Sequence, residues 1–493
     1  MIAKNLSVNI FIVFALFIMQ VVNPVAAKQV RQDDLFQFDQ EKREQLEEKR
    51  QRLVTYLTTI QQSQKPSTPE GEKAVSQLFQ LYSGNTIDID EVIKLLEVAT
   101  EKQDSEAITW LGQIYFEGIG GVIVDQEKAK QLFEISHQLG NPSGTYHLGV
   151  YHLKQQGVFG DVSKAKALII EADRKGYALA VSTLGEIELS LDNVTQAKRY
   201  YEKGIKQGDL HSMTALGGLY ISGQSIKRDT AKGFNLLERA WRQGWHDAGL
   251  KIYSFLIDGG HDFEKNEKLA VQYLSEAAYL GSGDAYAFLC SKVSDGAHHL
   301  EKDIQKAIDL CKKGINKGSV IAAQNLASIY KDSESFKESY YWHLYASKKG
   351  SPSSMTQTGL AIINSEKYNR GWIRENNNVA YEWFKKSAEL GWPLGMFFYA
   401  GLSLDLPDKN IPSLNEPDYA TCWYWFSVLQ GISPGFISKN TAKKCAAELS
   451  EEYKVGKKIE IRNKIRLYKR NSWTQHYLQL IKNGMIDLNN TEP

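Results

Sequence analysis

Four cysteines, Cys290, Cys311, Cys422 and Cys445, carry the most reactive side chains of this chain. Thiols bind metal, attack substrates or pair with one another, and spacing separates these uses. No Cys-x-x-Cys occurs and no His-Glu-x-x-His, so the short spacings of zinc and redox sites are missing. His298-His299 has no cysteine or acid at ligand spacing. Ser163 and Lys166 make a Ser-x-x-Lys, the nucleophile-and-base pair of one hydrolase class, but they fall where a helix is expected to begin. "GIGGV" from Gly118 would cradle phosphate only after a strand, and no strand pattern precedes it. The expectation is therefore no catalytic residue, no metal and no cofactor.

The elements that hold these residues follow from a repeat. Small residues stand at Ala74, Ala107, Gly144, Ala180, Ser212, Ala248, Ala285, Ala322, Ser354 and Gly395, a mean spacing close to 36 residues. Four positions on comes Leu or Ile, except at Thr358 and Tyr399, and the next position is Gly at 112, 149, 185, 217 and 359. Glycine inside a helix costs about 0.5–1 kcal/mol against Ala, so its recurrence points to a second helix that approaches the backbone there. That helix opens at Asp88, Asp125, Asp161, Asn193, Asp229, Asn266, Asp303, Ser335 and Asn376, good N-cap residues, with only Glu416 breaking the series. Small and bulky residues then alternate at spacing 0, 3, 4, 7, a single helical face. A glycine follows at 140, 176, 208, 244, 281, 318, 350, 391 and 431, which predicts a left-handed helix end.

The spacing from cap to next unit is always 19 residues, whereas that from unit start to cap varies between 13 and 22. Insertions are thus confined to the turn inside each pair, and the turn between pairs stays fixed, as close stacking requires. Cys290 occupies the helix-contact position and Cys311 the second bulky position of one pair, so these two should face each other and bridge. Cys422 and Cys445 would tie the last unit to a terminal helix.

These residues resemble the Sel-one-like repeat family, a relative of the tetratricopeptide repeats. Its pattern, small-x3-Leu-Gly-x2-Tyr-x2-Gly followed by Asp-x3-Ala-x2-aromatic-aromatic-x2-Ala-x3-Gly, runs through residues 107–140 almost throughout. The resemblance covers roughly residues 74–431; Phe79 and Tyr253 stand where Gly is usual, and Tyr399-Ala400 replaces Leu-Gly in the last unit. It implies an all-α fold, an α-α superhelix (solenoid) of about ten helix-turn-helix repeats, and a non-catalytic scaffold or adaptor that holds protein or peptide partners. Exported bacterial members act in envelope assembly or host contact. The alternative it carries is a cell-wall-peptide or β-lactam-binding or hydrolysing enzyme, whose cysteine-rich relatives bridge most units. By analogy with tetratricopeptides, partner contacts come from the first helix of each pair, two, six and ten residues after its start. Those positions include Gln113, Glu117, Tyr146, Val150, Glu186, Thr214, Ser254, Asp258, Ser291 and Gln324, together with Thr109, Asp295, Ser328 and Asp332. The mixed, somewhat acidic row favours a segment with polar and basic groups. Trp372, in the longest inserted turn, is a further candidate anchor.

Flanks and composition complete the expectation. Residues 1–27 hold one charge, Lys4, an apolar run from Ile10 to Met19, and small residues Val25 and Ala27, the layout of a cleaved signal peptide. That run falls short of the ~20 residues of a spanning helix. Removing Lys4 from the 59 basic residues leaves 58, against 58 acidic ones, a balance with no general pull toward nucleic acid or anionic membrane. Periplasmic or secreted placement, no membrane span after signal removal, and a monomer are expected. Residues 28–73 read as a charged, exposed or capping helix and a linker, and 432–493 as terminal capping helices and a tail. Residues 454–470 carry eight basic side chains against Glu460, with Ile461, Ile465 and Tyr468 as the apolar stripe of a capping helix.

Overall fold

A computed structural model of the chain describes residues 34–469 except 37, 63–64, 83–86, 120–121, 123–124, 155–161, 224–225, 260–263, 299, 366–370, 372, 374, 376, 404–417 and 433–444. Among the described residues every regular element is helical. After α1 (Gln40–Gln62) come α2 (Pro69–Tyr82), α3 (Ile89–Glu101), α4 (Ser105–Glu117), α5 (Gln126–Gln138), α6 (Pro142–Lys154), α7 (Val162–Arg174) and α8 (Ala180–Ser190). Next are α9 (Val194–Lys206), α10 (Leu210–Ser222), α11 (Thr230–Arg242), α12 (His246–Asp258), α13 (Glu267–Tyr279), α14 (Gly283–Asp295) and α15 (Ile304–Asn316). The series ends with α16 (Val320–Asp332), α17 (Phe336–Lys348), α18 (Pro352–Ile363), α19 (Asn377–Glu389), α20 (Pro393–Ser403), α21 (Tyr419–Ile432) and α22 (Glu451–Lys469). Between α1 and α22 lie ten helix-turn-helix pairs in chain order, the ten units of the sequence.

The described residues form two compact units, one through Ala322 and one from Ala323 onward. In the first, each second helix packs on the first helix of the following pair, from α3 on α4 to α13 on α14. In the second, the alternation runs from α17 to α21, and α22 lies against α21.

Local chemistry explains the boundaries. Asp88, Asp125, Asp229, Asn266 and Asp303 each accept backbone N–H bonds of the helix that follows. Asn193 and Ser335 make no such bond. They belong to pairs with the shortest inner turn, where the chain reverses through left-handed Asp192 (φ 67°) and Glu334 (φ 57°) and carries the cap out of position. Asp161, Asn376 and Glu416 lie outside the described residues. The first helices are capped as well, three residues before each unit start, at Asp104, Asp209, Ser282 and Ser351. Between pairs, eight glycines from Gly140 to Gly391 take φ of 81–108°, and Gln103 takes φ 58° in the first unit, which has no glycine. Gly431 departs from the expected helix end. α21 continues to Ile432, and Gly431 instead receives the Ile465 side chain of α22.

The glycines inside first helices do admit the second helix: a Cβ on Gly112 would stand 2.6 Å from Phe133 Cε1. Both cysteine pairs are bonded, with Cα–Cα separations of 5.3 Å for Cys290–Cys311 and 6.0 Å for Cys422–Cys445. In α22, Ile461 is buried, Glu460 accepts from the Tyr424 hydroxyl at 2.9 Å, and Lys464 lies over the Trp425 ring at 4.5 Å.

α1 is neither free nor a cap on the first pair. It lies across the turns that join pairs four to seven, running opposite to their order. Its stripe Lys42, Leu46, Lys49, Leu53, Tyr56 faces them. Leu46 and Leu53 are fully buried. The Tyr56 ring meets Trp245 edge-on, and its hydroxyl donates to Asp209 Oδ1 at 3.4 Å. Lys49 Nζ sits 4.1 Å from the Trp241 ring centre. Lys42 and Lys49 reach the two oxygens of Glu276 at 2.6 and 3.7 Å. Upstream of the helix, Phe38 packs on Tyr279 and Phe36 on Tyr286. The following linker is anchored to the second pair, where Thr68 donates from its backbone and hydroxyl to Asp104 at 2.8 and 2.6 Å.

Candidate functional site

The expected partner-binding positions fall into two groups. Gln113, Tyr146, Val150, Glu186 and Thr214, with Thr109, are buried rather than exposed. Neighbouring first helices come close enough for three of these side chains to bond across them. The Gln113 amide meets His147 at 3.0 Å, the Tyr146 hydroxyl meets Thr183 at 3.0 Å, and Glu186 meets His211 at 2.6 Å. The seam continues from Asn141 to Glu106 at 3.0 Å and from Ser319 to Asp284 at 2.6 Å. In the second unit Gln324, half-buried, donates to Ser353 at 2.5 Å.

Burial sets the protonation of this seam. It pushes the Glu106 carboxyl up to about 8, against the bond from Asn141. At His211 burial works against the charge, but the adjoining Glu186 carboxylate outweighs it and lifts the imidazole to about 9. A polar bond between buried partners stabilises by ~0.5–1.5 kcal/mol, and one left unpaired costs more, so these contacts specify which pair stacks on which.

The second group stays open. Asp258 is exposed, as are Asp295, Ser328 and Asp332; Glu117, Ser254 and Ser291 are half-buried. Asp258 and Asp295 occupy the same place, the last turn of α12 and of α14, one pair apart. In the first unit these two exposed carboxylates mark the rim of the first helices. Trp372 lies outside the described residues.

Ser163 is exposed in the first turn of α7, and the Lys166 ammonium pairs with buried Glu188 at 2.5 Å. His298 pairs with Glu267 at 3.4 Å, a contact between the sixth and seventh pairs that sequence spacing does not reveal. Gly118 ends α4 in the left-handed conformation. Among the described residues no helix is long and apolar enough to cross a membrane.

The architecture is thus that of an all-α tandem-repeat protein built from helical hairpins. The family model of the Sel1 repeat matches residues 105–141, 142–176, 186–209, 210–245, 254–282, 283–319 and 355–392, so the chain carries seven Sel1 repeats. Such repeat proteins are typically protein–protein interaction scaffolds. Three further pairs, α2–α3, α16–α17 and α20–α21, lie outside those matches. A curated relative, uncharacterized protein NMB1327 of Neisseria meningitidis serogroup B, is 26% identical over 171 residues, which span 35% of this chain and 36% of that protein. Among solved structures, c5321, described as a protective antigen of uropathogenic Escherichia coli with an SLR fold, is 20% identical. That match covers 84% of this chain and 86% of the other, with a TM-score of 0.42. A Sel1 repeat protein from Oxalobacter formigenes is 17% identical over 50% of this chain and 97% of its own, with a TM-score of 0.37.

Proposed function

We propose that this chain is an exported helical-repeat scaffold that holds one or more other proteins in the bacterial envelope or at the host interface. The run of Sel1 repeats along residues 105–392 carries the scaffold reading. The two bonded cysteine pairs and the signal-like residues 1–27 support export, since disulfides persist in oxidising compartments. The exposed carboxylates of Asp258 and Asp295 on this rim support a partner segment bearing basic groups. Reversing a rim charge acts on encounter rate and salt dependence more than on packing.

The experiment is affinity capture with the full chain and with Asp258→Lys/Asp295→Lys. A partner recovered with the unaltered chain should be retained at least tenfold less by the variant, and its binding should weaken as salt rises. Equal recovery of every partner by both forms removes the rim as the site. Fusion of residues 1–40 to a reporter active only after export should give reporter activity; an inactive fusion removes the export reading.

A further inference from the structure

For its length, α1 buries few side chains. It is 23 residues long, yet among its described side chains only Leu46 and Leu53 are buried. α4, with 13 residues, buries ten. Helices held by few buried contacts open at the low end of the stability range of a fold. Both ends of α1 continue into chain that is not part of the repeat.

The surface beneath α1 is shaped for a helix. A Cβ on Gly244 would overlap the Lys49 carbonyl oxygen, whereas Gly140 and Gly176, at the same place in turns that α1 does not cross, have open space around them. Glu276 on α13 is buried, with both carboxylate oxygens on lysines of α1, whereas the matching Ile135, Lys203 and Arg239 are exposed. Trp241 and Trp245 supply the aromatic walls. Close approach, an acid between two lysines, and slots for leucines seven residues apart are the features by which a groove reads a helix.

We propose that the row of turns at Gly208, Gly244 and Gly281 is a helix-accepting site, that α1 is its displaceable resident, and that a partner helix with the same lysine-leucine stripe docks there when α1 leaves. The inference deepens the scaffold reading by naming a docking chemistry. Its test reports on this row of turns whether or not the Asp258 and Asp295 rim captures anything.

The probe is a fluorescent synthetic peptide of residues 36–62, titrated by anisotropy into the full chain. Leu46→Glu/Leu53→Glu should weaken the resident helix and raise peptide affinity at least tenfold over the unaltered chain. Glu276→Arg added to that variant should abolish the gain. Lys42→Glu/Lys49→Glu, which keeps both leucines, should also raise peptide affinity severalfold. Equal binding by the unaltered chain and both variants overturns the proposal. So does a loss of helical circular dichroism in Leu46→Glu/Leu53→Glu larger than the 23 residues of α1 account for, which would make α1 a fixed wall of the fold. A dimer of the unaltered chain in light scattering, abolished by Leu46→Glu/Leu53→Glu, would seat a second copy of α1 there and overturn the assignment to a different partner.

Discussion

Gly217 and Gly218 are neighbours in α10, and only the first touches another helix. A Cβ on Gly217 would lie 2.9 Å from the Gly233 carbonyl oxygen and 3.1 Å from Leu237, whereas one on Gly218 would meet nothing within 4 Å. Gly217→Ala should therefore destabilise the fold by ~1–3 kcal/mol through overpacking. Gly218→Ala should stabilise it by ~0.5–1 kcal/mol, because Ala removes unfolded-state freedom at no steric cost. Denaturant unfolding of the two variants measures both signs. The role of Gly217 is visible in sequence because its spacing from the preceding Ser212 and Leu216 recurs along the chain. The fate of Gln113 and Glu186 is not, since polar residues on a first helix look alike whether they face water or a neighbouring helix. Titration gives a second outcome. Burial, helped by the Lys331 ammonium, lowers the His343 imidazole to about 4. A depressed folded-state value means the unfolded chain takes the proton first, so the stability is whole above about 6.5 and is lost as pH falls toward 4. His343 is half-buried, which discounts the loss to ~1–2 kcal/mol. His343→Gln should flatten that acid slope in unfolding measured between pH 7 and 4.

Helix caps divide along the same line between pattern and geometry. Asp303 and Ser335 occupy equivalent places in successive units, but only Asp303 accepts a backbone N–H, from Lys306 at 2.9 Å. Asp303→Ala should cost ~1 kcal/mol and Ser335→Ala only a few tenths, read from paired thermal melts. The sequence signals both as caps; the three-residue turn that displaces Ser335 involves backbone angles no residue type announces. α1 was hidden for another reason. Its docking stripe places lysines at two of five positions, so a scan for apolar periodicity records a charged surface helix. The stripe becomes visible only when Lys42, Leu46, Lys49, Leu53 and Tyr56 are read as one face at alternating steps of four and three. Its acceptor is built from Glu276, Gly244 and Trp245, which are far away in sequence and belong to different pairs. No local window contains both sides.

A chain assembled from pairs that touch their neighbours does not unfold as one cooperative block. Its stability is approximately a sum over pairs and the interfaces between them. The ten pairs were legible because both helices of each unit repeat, and the fixed distance between pairs reflects the shared core they bury. The division into units at Ala322 and Ala323 has no counterpart in composition. This additivity makes the Cys290–Cys311 bond a local device. It closes a loop of 21 residues inside the seventh pair, and loops of that size contribute ~2–4 kcal/mol mainly by restricting the unfolded chain. Cys290→Ala/Cys311→Ala should therefore lower protection in α14 and α15 most, in hydrogen exchange followed by mass spectrometry. α12 and α13 should follow to a smaller degree, because they share an interface with α14 and support the upstream end of α1 through Glu276. Protection in α4 and α5, five pairs away, should stay within error of the unaltered chain. Uniform loss from α4 to α15 would mean that the first unit behaves as a single cooperative body, and nearest-neighbour coupling would then be the wrong description of how this scaffold holds together.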